Sequence, residues 1–474
     1  MKLRNLFLLF TLCTLFTVSF SSCSDDDEKD EVRVPSVAVT NLSFTDTDEE
    51  VLKIGGTLSW TLPSSETDVT GYVIYLGGNA TDKATKLGEV AVGKNSFDIP
   101  AGTTYNTNLI VVAKNVVGES ENMASIVVQD INVDVPEPQP QTIGYYILNR
   151  GNFNANNASI SYYDLATGKM VSNYYQSVNG KGLGSDAEQM FVYGSKIYVS
   201  VTSSNRLVVL DKQGKEIKEF TPKNSAGETM NPRCFTALDG KVYVSYYYGS
   251  SVAVLDTTSL ELEKEISLGM ATTTDKDGNE VKSSRYPEQL AAANGKIYVA
   301  LSEYGKGKTV GVIDPATAKL EKEIEVIVNP CNLAASSKGD VYVISMGDYG
   351  DIKNTVQRID ASDKVSVIGN GSKMSLVNDK LYVVYAQWGA PAPSFMKYDA
   401  LTGAVESQNL ITDGTTLANP NSIDVDPITG KIYISNAAYG ETASMYVFTP
   451  EGKKDGEPFD TGGYDTQKVC FIAQ

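Results

Sequence analysis

Aromatic residues cluster where short apolar runs end in the C-terminal two thirds of the chain. The clearest case is KVYVSYYYG, in which Tyr246, Tyr247 and Tyr248 stand before Gly249. Successive side chains of a strand point to opposite faces, so at least one of these rings must lie at or beyond the strand end, near water. Tyrosine combines a large contact area, few rotatable bonds and a polar atom, which is typical of binding surfaces. The chemistry that these residues indicate is recognition.

The composition excludes several classes of reaction. The 474 residues include no His, so neither a Ser/His/Asp nor a Cys/His catalytic unit can form, and His-containing zinc sites are excluded as well. Catalysis would have to use carboxylates, Lys, Tyr or a bound cofactor. With 58 acidic and 40 basic side chains the net charge is -18, which argues against binding to nucleic acid. We expect a protein that is not an enzyme, with no catalytic residue, no cofactor and no nucleic-acid partner.

The other candidate metal ligands are few. Cys234, Cys331 and Cys470 lie in apolar segments without CxxC spacing, which predicts buried thiols rather than a disulfide framework or a thiolate metal site. The segment DKDGNE, Asp275–Glu280, has the spacing of half a calcium loop but lacks a third ordered carboxylate and a closing bidentate Glu. A charged hairpin with an Asp-Gly turn is favoured there, and no metal site is predicted.

The N-terminal segment has the pattern of an export and anchoring signal. Lys2 and Arg4 precede an apolar stretch that is short for a membrane span, and FSSC follows. These residues resemble a bacterial lipobox, which implies a signal peptide over residues 1–22 and lipidation of Cys23. The acidic tether, residues 23–33, resembles the export signal of lipoproteins on the outer face of the outer membrane; a solvated spacer is the alternative. The resemblance implies attachment to the membrane through the lipid anchor only, facing the cell exterior.

Residues 34–134 carry short alternating strands separated by turn signals, the pattern of an antiparallel sandwich. The spacing of Trp60, Tyr72 and Tyr105 resembles that of fibronectin type III domains, with Tyr105 in the place of their corner tyrosine. Trp60 is expected in the core. A semi-rigid proline linker, residues 135–142, follows.

Residues 143–474 repeat one strand pattern. GSKIYVS, GKVYVS, GKIYVA, GDVYVI, NDKLYVV and GKIYIS recur, and IGYYILN is a seventh copy. Four short strands per repeat are typical of a propeller blade, so we predict seven blades. The first copy lacks its preceding strand and the chain ends in DTQKVCFIAQ, so the C-terminal strand is expected to complete the first blade. The predicted fold is all-β: an N-terminal Ig or fibronectin type III-like sandwich followed by a seven-bladed β-propeller closed by the C-terminal strand.

The repeats, for example NPNSIDVDPITGKIYISNAAYG, resemble YVTN or YncE-like seven-bladed propellers. With the lipobox and the acidic tether, the combination is similar to surface lipoproteins that work beside TonB-dependent transporters, among them the BtuG-type corrinoid-capturing propellers. The resemblance implies capture of a nutrient, a corrinoid in preference to a glycan, for a TonB-dependent outer-membrane transporter. Since fold does not fix function, a propeller enzyme of the lyase or lactonase type and a surface adhesin or scaffold remain alternatives.

The order of the strands predicts which loops form the binding face. In a four-stranded blade, the loops after the second strand and those before the first strand emerge together around the central channel. Six of the seven loops after the second strand carry an aromatic residue, whereas the opposite loops are Asp, Thr and Gly turns. Strand-end packing is the alternative for any single ring, and Asn231, Asn329 and Asn419, each before Pro, are expected to cap turns. The predicted ligand-binding residues are Phe153, Arg206, Arg233, Tyr246, Tyr247, Tyr248, Arg285, Tyr286, Tyr304, Tyr349, Trp388 and Tyr439.

Overall fold

The computed structural model describes residues 32–131, 139–274, 277–387, 392–438 and 440–474. The chain divides into two compact units, Met1–Gln139 and Pro140–Gln474. Both units are built from antiparallel β-sheets. Among the described residues, no helix has the length and apolar character needed to cross a membrane.

The N-terminal unit has seven strands in its described part: β1 (Thr40–Ser43), β2 (Lys53–Thr61), β3 (Gly71–Gly77), β4 (Thr85–Ala91), β5 (Ser96–Thr104), β6 (Asn108–Lys114) and β7 (Glu119–Val127). They form two sheets, in the orders β1-β2-β5 and β4-β3-β6-β7. Leu58 and Trp60 of β2 and Tyr72 and Ile74 of β3 are buried in one core between the sheets. The rings of Trp60 and Tyr72 are 6.0 Å apart. Trp60 is therefore a core residue, as predicted.

The C-terminal unit has seven four-stranded sheets in its described part. The first three sheets contain β8 (Thr142–Asn149), β9 (Ser159–Asp164), β10 (Lys169–Val171), β11 (Ala187–Tyr193), β12 (Lys196–Val201), β13 (Arg206–Asp211), β14 (Glu216–Phe220), β15 (Pro232–Leu238), β16 (Lys241–Tyr246), β17 (Ser251–Asp256) and β18 (Leu262–Ser267). A short helix, α1 (Tyr174–Asn179), follows β10. The hairpin β19 (Ala271–Thr274) and β20 (Glu280–Ser283) follows β18.

The remaining four sheets contain β21 (Pro287–Ala293), β22 (Lys296–Leu301), β23 (Thr309–Asp314), β24 (Lys319–Glu325), β25 (Pro330–Ala335), β26 (Val341–Ser345), β27 (Thr355–Ile359), β28 (Val365–Asn370), β29 (Lys373–Val377), β30 (Lys380–Tyr385), β31 (Ser394–Asp399), β32 (Val405–Ser407), β33 (Pro420–Val425), β34 (Ile432–Asn436), β35 (Thr442–Phe448) and β36 (Phe459–Tyr464). A 3₁₀ turn, Glu303–Gly305, follows β22. The innermost strand of each sheet lines a central cavity. In six sheets this is the first strand along the chain, and in the first sheet it is the C-terminal strand of the protein. This is a β-propeller fold.

The C-terminal strand β37 (Thr466–Ala473) completes the first sheet, whose order is β10-β9-β8-β37. It pairs antiparallel with β8 and places Phe471 opposite Tyr145. The Tyr145 ring also packs on Tyr433 of the seventh sheet, with ring centroids 5.0 Å apart. The strand therefore covers an edge that β8 would otherwise expose, as predicted from the sequence.

The second strands of the sheets repeat a Tyr followed by apolar residues, and two of them, β12 and β16, contain Tyr-Val-Ser. Strands β12 and β16 are buried almost throughout because each sheet is covered by its neighbours. Their serines reach the next sheet: the Ser200 hydroxyl donates to the Arg233 carbonyl (2.6 Å) and the Ser245 hydroxyl donates to the Glu288 carbonyl (2.8 Å). The repeated serine is thus a bond between neighbouring sheets.

Two predictions about candidate metal ligands can be compared with the structure. Strands β19 and β20 pair with Thr274 opposite Glu280, so the hairpin favoured for Asp275–Glu280 is confirmed, although residues 275 and 276 lie outside the described part. Cys234 and Cys470 are buried free thiols, whereas Cys331 is only partly buried, which corrects the expectation for that residue. Within the described residues, no group of three or more Cys, Asp or Glu is arranged to hold a metal ion.

Candidate functional site

Two sets of loops share one face of the propeller, which we call the loop face: those after the second strand of each sheet and those before the first strand. Backbone hydrogen bonds join the two sets. The Tyr247 N–H donates to the Asn231 carbonyl, and the Glu303 N–H donates to the Arg285 carbonyl; the N···O distance is 3.0 Å in both. Equivalent hydrogen bonds run from the Met346 N–H to the Asn329 carbonyl and from the Ala437 N–H to the Asn419 carbonyl. The shared face is the one that the strand order predicted.

Four tyrosines of the third and fourth sheets form one contiguous group on the loop face, which we call the tyrosine cluster. Its members are Tyr247, Tyr248, Tyr286 and Tyr304. The centroid of the Tyr286 ring is 5.0 Å from that of Tyr247 and 5.4 Å from that of Tyr304. Tyr247 and Tyr248 are 5.2 Å apart, edge to face. Because Tyr248 is 54% exposed and Tyr304 is 72% exposed, the cluster offers a large aromatic surface to a ligand.

The backbone beneath several exposed tyrosines is left-handed. In five sheets the residue before the first strand has a positive φ; four of these residues are Asn or Asp, which tolerate that conformation, and the fifth is Tyr286, with φ 46°. Tyr304 and Tyr349 also have positive φ, at 57° and 61°. A bulky residue in this region costs about 1–3 kcal/mol, and such strain concentrates at functional sites. The three residues are therefore held in place by their surroundings rather than by local preference.

Arg233 lies under the tyrosine cluster. Its guanidinium is 4.7 Å from the centroid of the Tyr247 ring, a cation–π contact. Its Nε donates to Glu288 (2.7 Å) and its Nη1 donates to Glu188 (3.0 Å). Burial raises the pKa of Glu288, although the neighbouring guanidinium acts in the opposite direction. Arg233 therefore ties the second, third and fourth sheets together below the rings.

A second arginine, Arg150, directly follows β8 of the first sheet. It donates to Asp186 (2.5 Å) and lies 3.6 Å from Glu188 and 3.8 Å from Asp465. The Glu188 carboxylate raises the pKa of Arg150, and burial raises the pKa of Asp465. Together with Arg233, it makes a chain of paired charges across the first four sheets.

The central cavity has a volume of about 850 Å³ and is lined by the innermost strands of all seven sheets. Two glutamines meet inside it: the Gln189 side chain of β11 donates to Gln289 of β21 over 3.1 Å. On the far side, Lys468 of β37 pairs with Asp424 of β33. Burial outweighs this partner and raises the pKa of Asp424. The cavity is thus polar and contains both signs of charge.

A second pocket, of about 640 Å³, opens on the same face between the first, sixth and seventh sheets. It shares Arg150 with the central cavity. Its rim carries Phe153, which is 76% exposed. Its lining combines small apolar residues with the polar side chains of Asn152, Asp186, Gln387, Asn419, Asn421, Glu441 and Asp465.

The structure brings most of the predicted aromatic residues to the loop face but separates them into groups. Four of them form the tyrosine cluster. Tyr349, 77% exposed, borders the central cavity, and its hydroxyl accepts a hydrogen bond from the Asn329 side chain (3.1 Å). Phe153 belongs to the second pocket. Trp388 and Tyr439 lie outside the described residues, as do Cys23 and the predicted signal peptide, residues 1–22.

Besides Arg233, which pairs with Glu188 and Glu288, three predicted contacts have structural roles. Tyr246 is the last paired residue of β16; its ring points between sheets and is 2% exposed, in the core that contains Phe235. Arg206 makes a two-pronged bond to Glu219 (2.8 and 3.0 Å). Arg285 bonds Glu303 and Glu323, each at 2.7 Å. These side chains are engaged within the protein and are not free to meet a ligand.

Sequence reasoning missed the residues that create the second pocket. Ala386, Ala418, Ala437 and Ala438 are among its lining residues. The signal was present in the alanines of VVYAQ and ISNAAYG. Asn419, expected to cap a turn, is exposed and lines this pocket.

Residues 143–454 match the sequence family described as "Domain of unknown function (DUF5074)". The chain belongs to the DUF5074 family. The match covers five complete sheets and three of the four strands of the first and seventh sheets. No curated protein is similar enough to this DUF5074 chain to count as a relative.

Solved structures similar to this DUF5074 protein are β-propeller-like. A quinonprotein alcohol dehydrogenase-like protein from Bacteroides thetaiotaomicron VPI-5482 is 17% identical, with a TM-score of 0.49, over 91% of this chain and 99% of that chain. A putative 6-phosphogluconolactonase from Bacteroides fragilis NCTC 9343 is 12% identical, with a TM-score of 0.45, over 70% of this chain and 98% of that chain. Apo AztD from Citrobacter koseri is 12% identical, with a TM-score of 0.45, over 70% of this chain and 99% of that chain. The similarity concerns fold alone.

Proposed function

We propose that this protein is a cell-surface binding lipoprotein whose loop face captures a bulky neutral nutrient, a corrinoid in preference to a glycan. The observation that carries the proposal is the tyrosine cluster, in which the rings of strained Tyr286 and Tyr304 pack together. Tyr247 of the same cluster contacts Arg233, which lines the polar central cavity. A corrinoid has a broad ring and a rim of amide groups, which suit aromatic faces and polar side chains respectively.

The proposal includes a finer description of the fold. The seven four-stranded sheets are taken as the blades of one closed seven-bladed propeller. The N-terminal sandwich is taken as fibronectin type III-like, which is supported by the Tyr105 hydroxyl donating to the Val128 carbonyl over 3.3 Å. A sandwich of this kind would act as a stalk between the anchor and the propeller.

Binding is favoured over catalysis. The absence of His removes the usual general base of propeller lyases, and the charged residues at the cavity mouth are paired with one another. Side chains that are already paired are suited to holding a surface rigid. We therefore infer that the protein is not an enzyme and needs no cofactor. An adhesin or scaffold that uses the same aromatic face is the second candidate.

The anchoring part of the proposal rests on Cys23 and the acidic residues after it. The lipidated protein would lie on the outer membrane, face the cell exterior and pass its ligand to a TonB-dependent transporter. Replacing Cys23 by Ala should shift the protein from the membrane to the soluble fraction after cell fractionation. Unchanged membrane attachment would contradict the lipoprotein proposal.

The ligand is tested by titrating the purified protein with cyanocobalamin and, separately, with neutral oligosaccharides in a calorimeter. We expect cyanocobalamin to bind and Tyr286→Ala and Tyr304→Ala each to weaken it about tenfold or more, as for central aromatic contacts. Leu165→Ala is the matched control, because Leu165 is an exposed apolar residue in the turn between β9 and β10 on the opposite face. Binding that survives both tyrosine substitutions would place the ligand elsewhere, and failure of cyanocobalamin to bind would leave the adhesin as the better candidate.

A further inference from the structure

Small side chains form part of the lining of the second pocket. Ala386 follows β30, and Ala437 and Ala438 follow β34, where Tyr247 and Tyr248 follow β16 in the third sheet. The pocket has a volume of about 640 Å³, which is within the range of ligand pockets. None of the four residues of the tyrosine cluster is among its described lining residues, so the pocket is separate from that cluster.

The polar groups in this pocket are amides and carboxylates held in fixed orientations. The Asn421 side chain donates to Asp465 over 3.3 Å, so an amide oxygen and a carboxylate are presented side by side. The Gln387 side-chain oxygen accepts from the Asn354 N–H (3.2 Å) and the Tyr385 hydroxyl (3.3 Å). That arrangement directs the Gln387 amide NH₂ as a donor. Adjacent donors and acceptors of this kind match pairs of neighbouring hydroxyl groups.

An aromatic ring stands at the rim. Phe153 is 76% exposed, and its neighbour Asn152 also lines the pocket. An exposed Phe next to a polar pocket suits a ligand that has one apolar C–H face and several hydroxyls at its edge. A pyranose ring has both features.

The charge of the second pocket further restricts the class of ligand that it can bind. Its lining contains the carboxylates of Asp186, Glu441 and Asp465 but only one guanidinium, that of Arg150, which already lies near Asp186 and Asp465. With three carboxylates and one guanidinium in the lining, sulfated, phosphorylated or uronic-acid sugars would meet an excess of negative charge there.

We propose that the second pocket is a binding site for a neutral saccharide, independent of the tyrosine cluster. This inference goes beyond the proposed function, because it concerns a different set of residues and does not require a corrinoid to bind. It gives the loop face two sites, one aromatic and one polar, on opposite sides of the cavity mouth.

The test is calorimetric titration of the full chain with maltose, cellobiose, lactose and mannobiose, and with glucuronic acid as the anionic comparison. We expect at least one neutral disaccharide to bind and glucuronic acid to bind at least tenfold more weakly. Phe153→Ala should weaken the neutral disaccharide about tenfold, the loss expected for one stacked aromatic contact. Asn419→Ala should also weaken it, since the exposed Asn419 side chain lines the pocket. Leu165→Ala, on the opposite face, should leave the affinity unchanged.

The outcomes separate this inference from the proposed function. Failure of every neutral disaccharide to bind, or binding that neither Phe153→Ala nor Asn419→Ala alters, overturns the saccharide site. Stronger binding of glucuronic acid than of the neutral sugars overturns it as well. Saccharide binding without cyanocobalamin binding supports the site and contradicts only the corrinoid proposal.

Discussion

The Arg233 guanidinium lies 4.7 Å from the centroid of the Tyr247 ring and forms ion pairs with Glu288 and Glu188, which belong to the two neighbouring sheets. The side chains of all three charged residues are between 12% and 16% exposed. One largely buried cation therefore supports an aromatic residue of the loop face and joins three sheets.

Replacing Arg233 by Met should destabilise the protein by about 3–5 kcal/mol, because it leaves two largely buried carboxylates without their cation. Urea denaturation followed by circular dichroism measures the loss. Lys218→Met is the control, because Lys218 pairs with Glu261 in an exposed bridge whose loss should cost less than about 1 kcal/mol. Equal effects of the two substitutions would mean that the Arg233 network contributes no more than a surface ion pair.

Asn at position 304 should be better tolerated than Ala, because Asn adopts the left-handed backbone that Tyr304 now occupies at φ 57°. Both Tyr304→Asn and Tyr304→Ala remove the ring, and both should weaken cyanocobalamin binding. Tyr304→Asn should nevertheless be more stable than Tyr304→Ala by about 1 kcal/mol in thermal unfolding. Tyr248 does not have a positive φ, so the same pair of substitutions there should differ little in stability. No difference at position 304 would show that its backbone strain is negligible.

Deletion of residues 468–474 should prevent formation of a stable propeller. It removes most of β37, exposes the edge of β8 and takes away Phe471 from the packing around Tyr145 and Tyr433. We expect poor solubility and loss of the cooperative thermal transition seen by circular dichroism. A truncated protein that melts like the full chain would disprove the closing role of β37.

Burial raises the pKa of Cys331 and Cys470 from 9.0 to about 12, and raises that of Cys234 as well. A raised thiol pKa contributes stability below pH 9 that is lost as the pH rises towards 12, so the free energy of unfolding should fall across that window. At pH 8, Ellman's reagent should react with the buried Cys234 and Cys470 only after unfolding in urea, and with the partly buried Cys331 more slowly in the native protein than in urea. Rapid reaction of all three thiols in the native protein would contradict the raised pKa values and the burial.

The sequence by itself determined the repeated architecture. Each copy of the repeated strand combines alternating side chains with flanking turn residues, and these local properties favour a strand wherever the copy lies. The missing first strand at Ile143 and the extra strand at the C-terminus also predicted that β37 would complete the first sheet. The loops after the second strands and those before the first strands were expected on one face, and in the described part of the chain hydrogen bonds join them there, because strand order alone decides on which side a loop emerges.

The tertiary structure decided which side chains are free to bind. Tyr246, Tyr247 and Tyr248 are consecutive residues of the same type. Tyr246 nevertheless pairs with Ser251 and is buried between sheets, whereas Tyr248 is 54% exposed. Arg206 and Arg285 are occupied by carboxylates on other strands.

The second pocket was not predicted either, because its walls come from loops of several sheets, and small residues in separate loops do not show that those loops meet. Burial and pairing depend on neighbours brought together by closure of the sheets, and no local pattern records those neighbours.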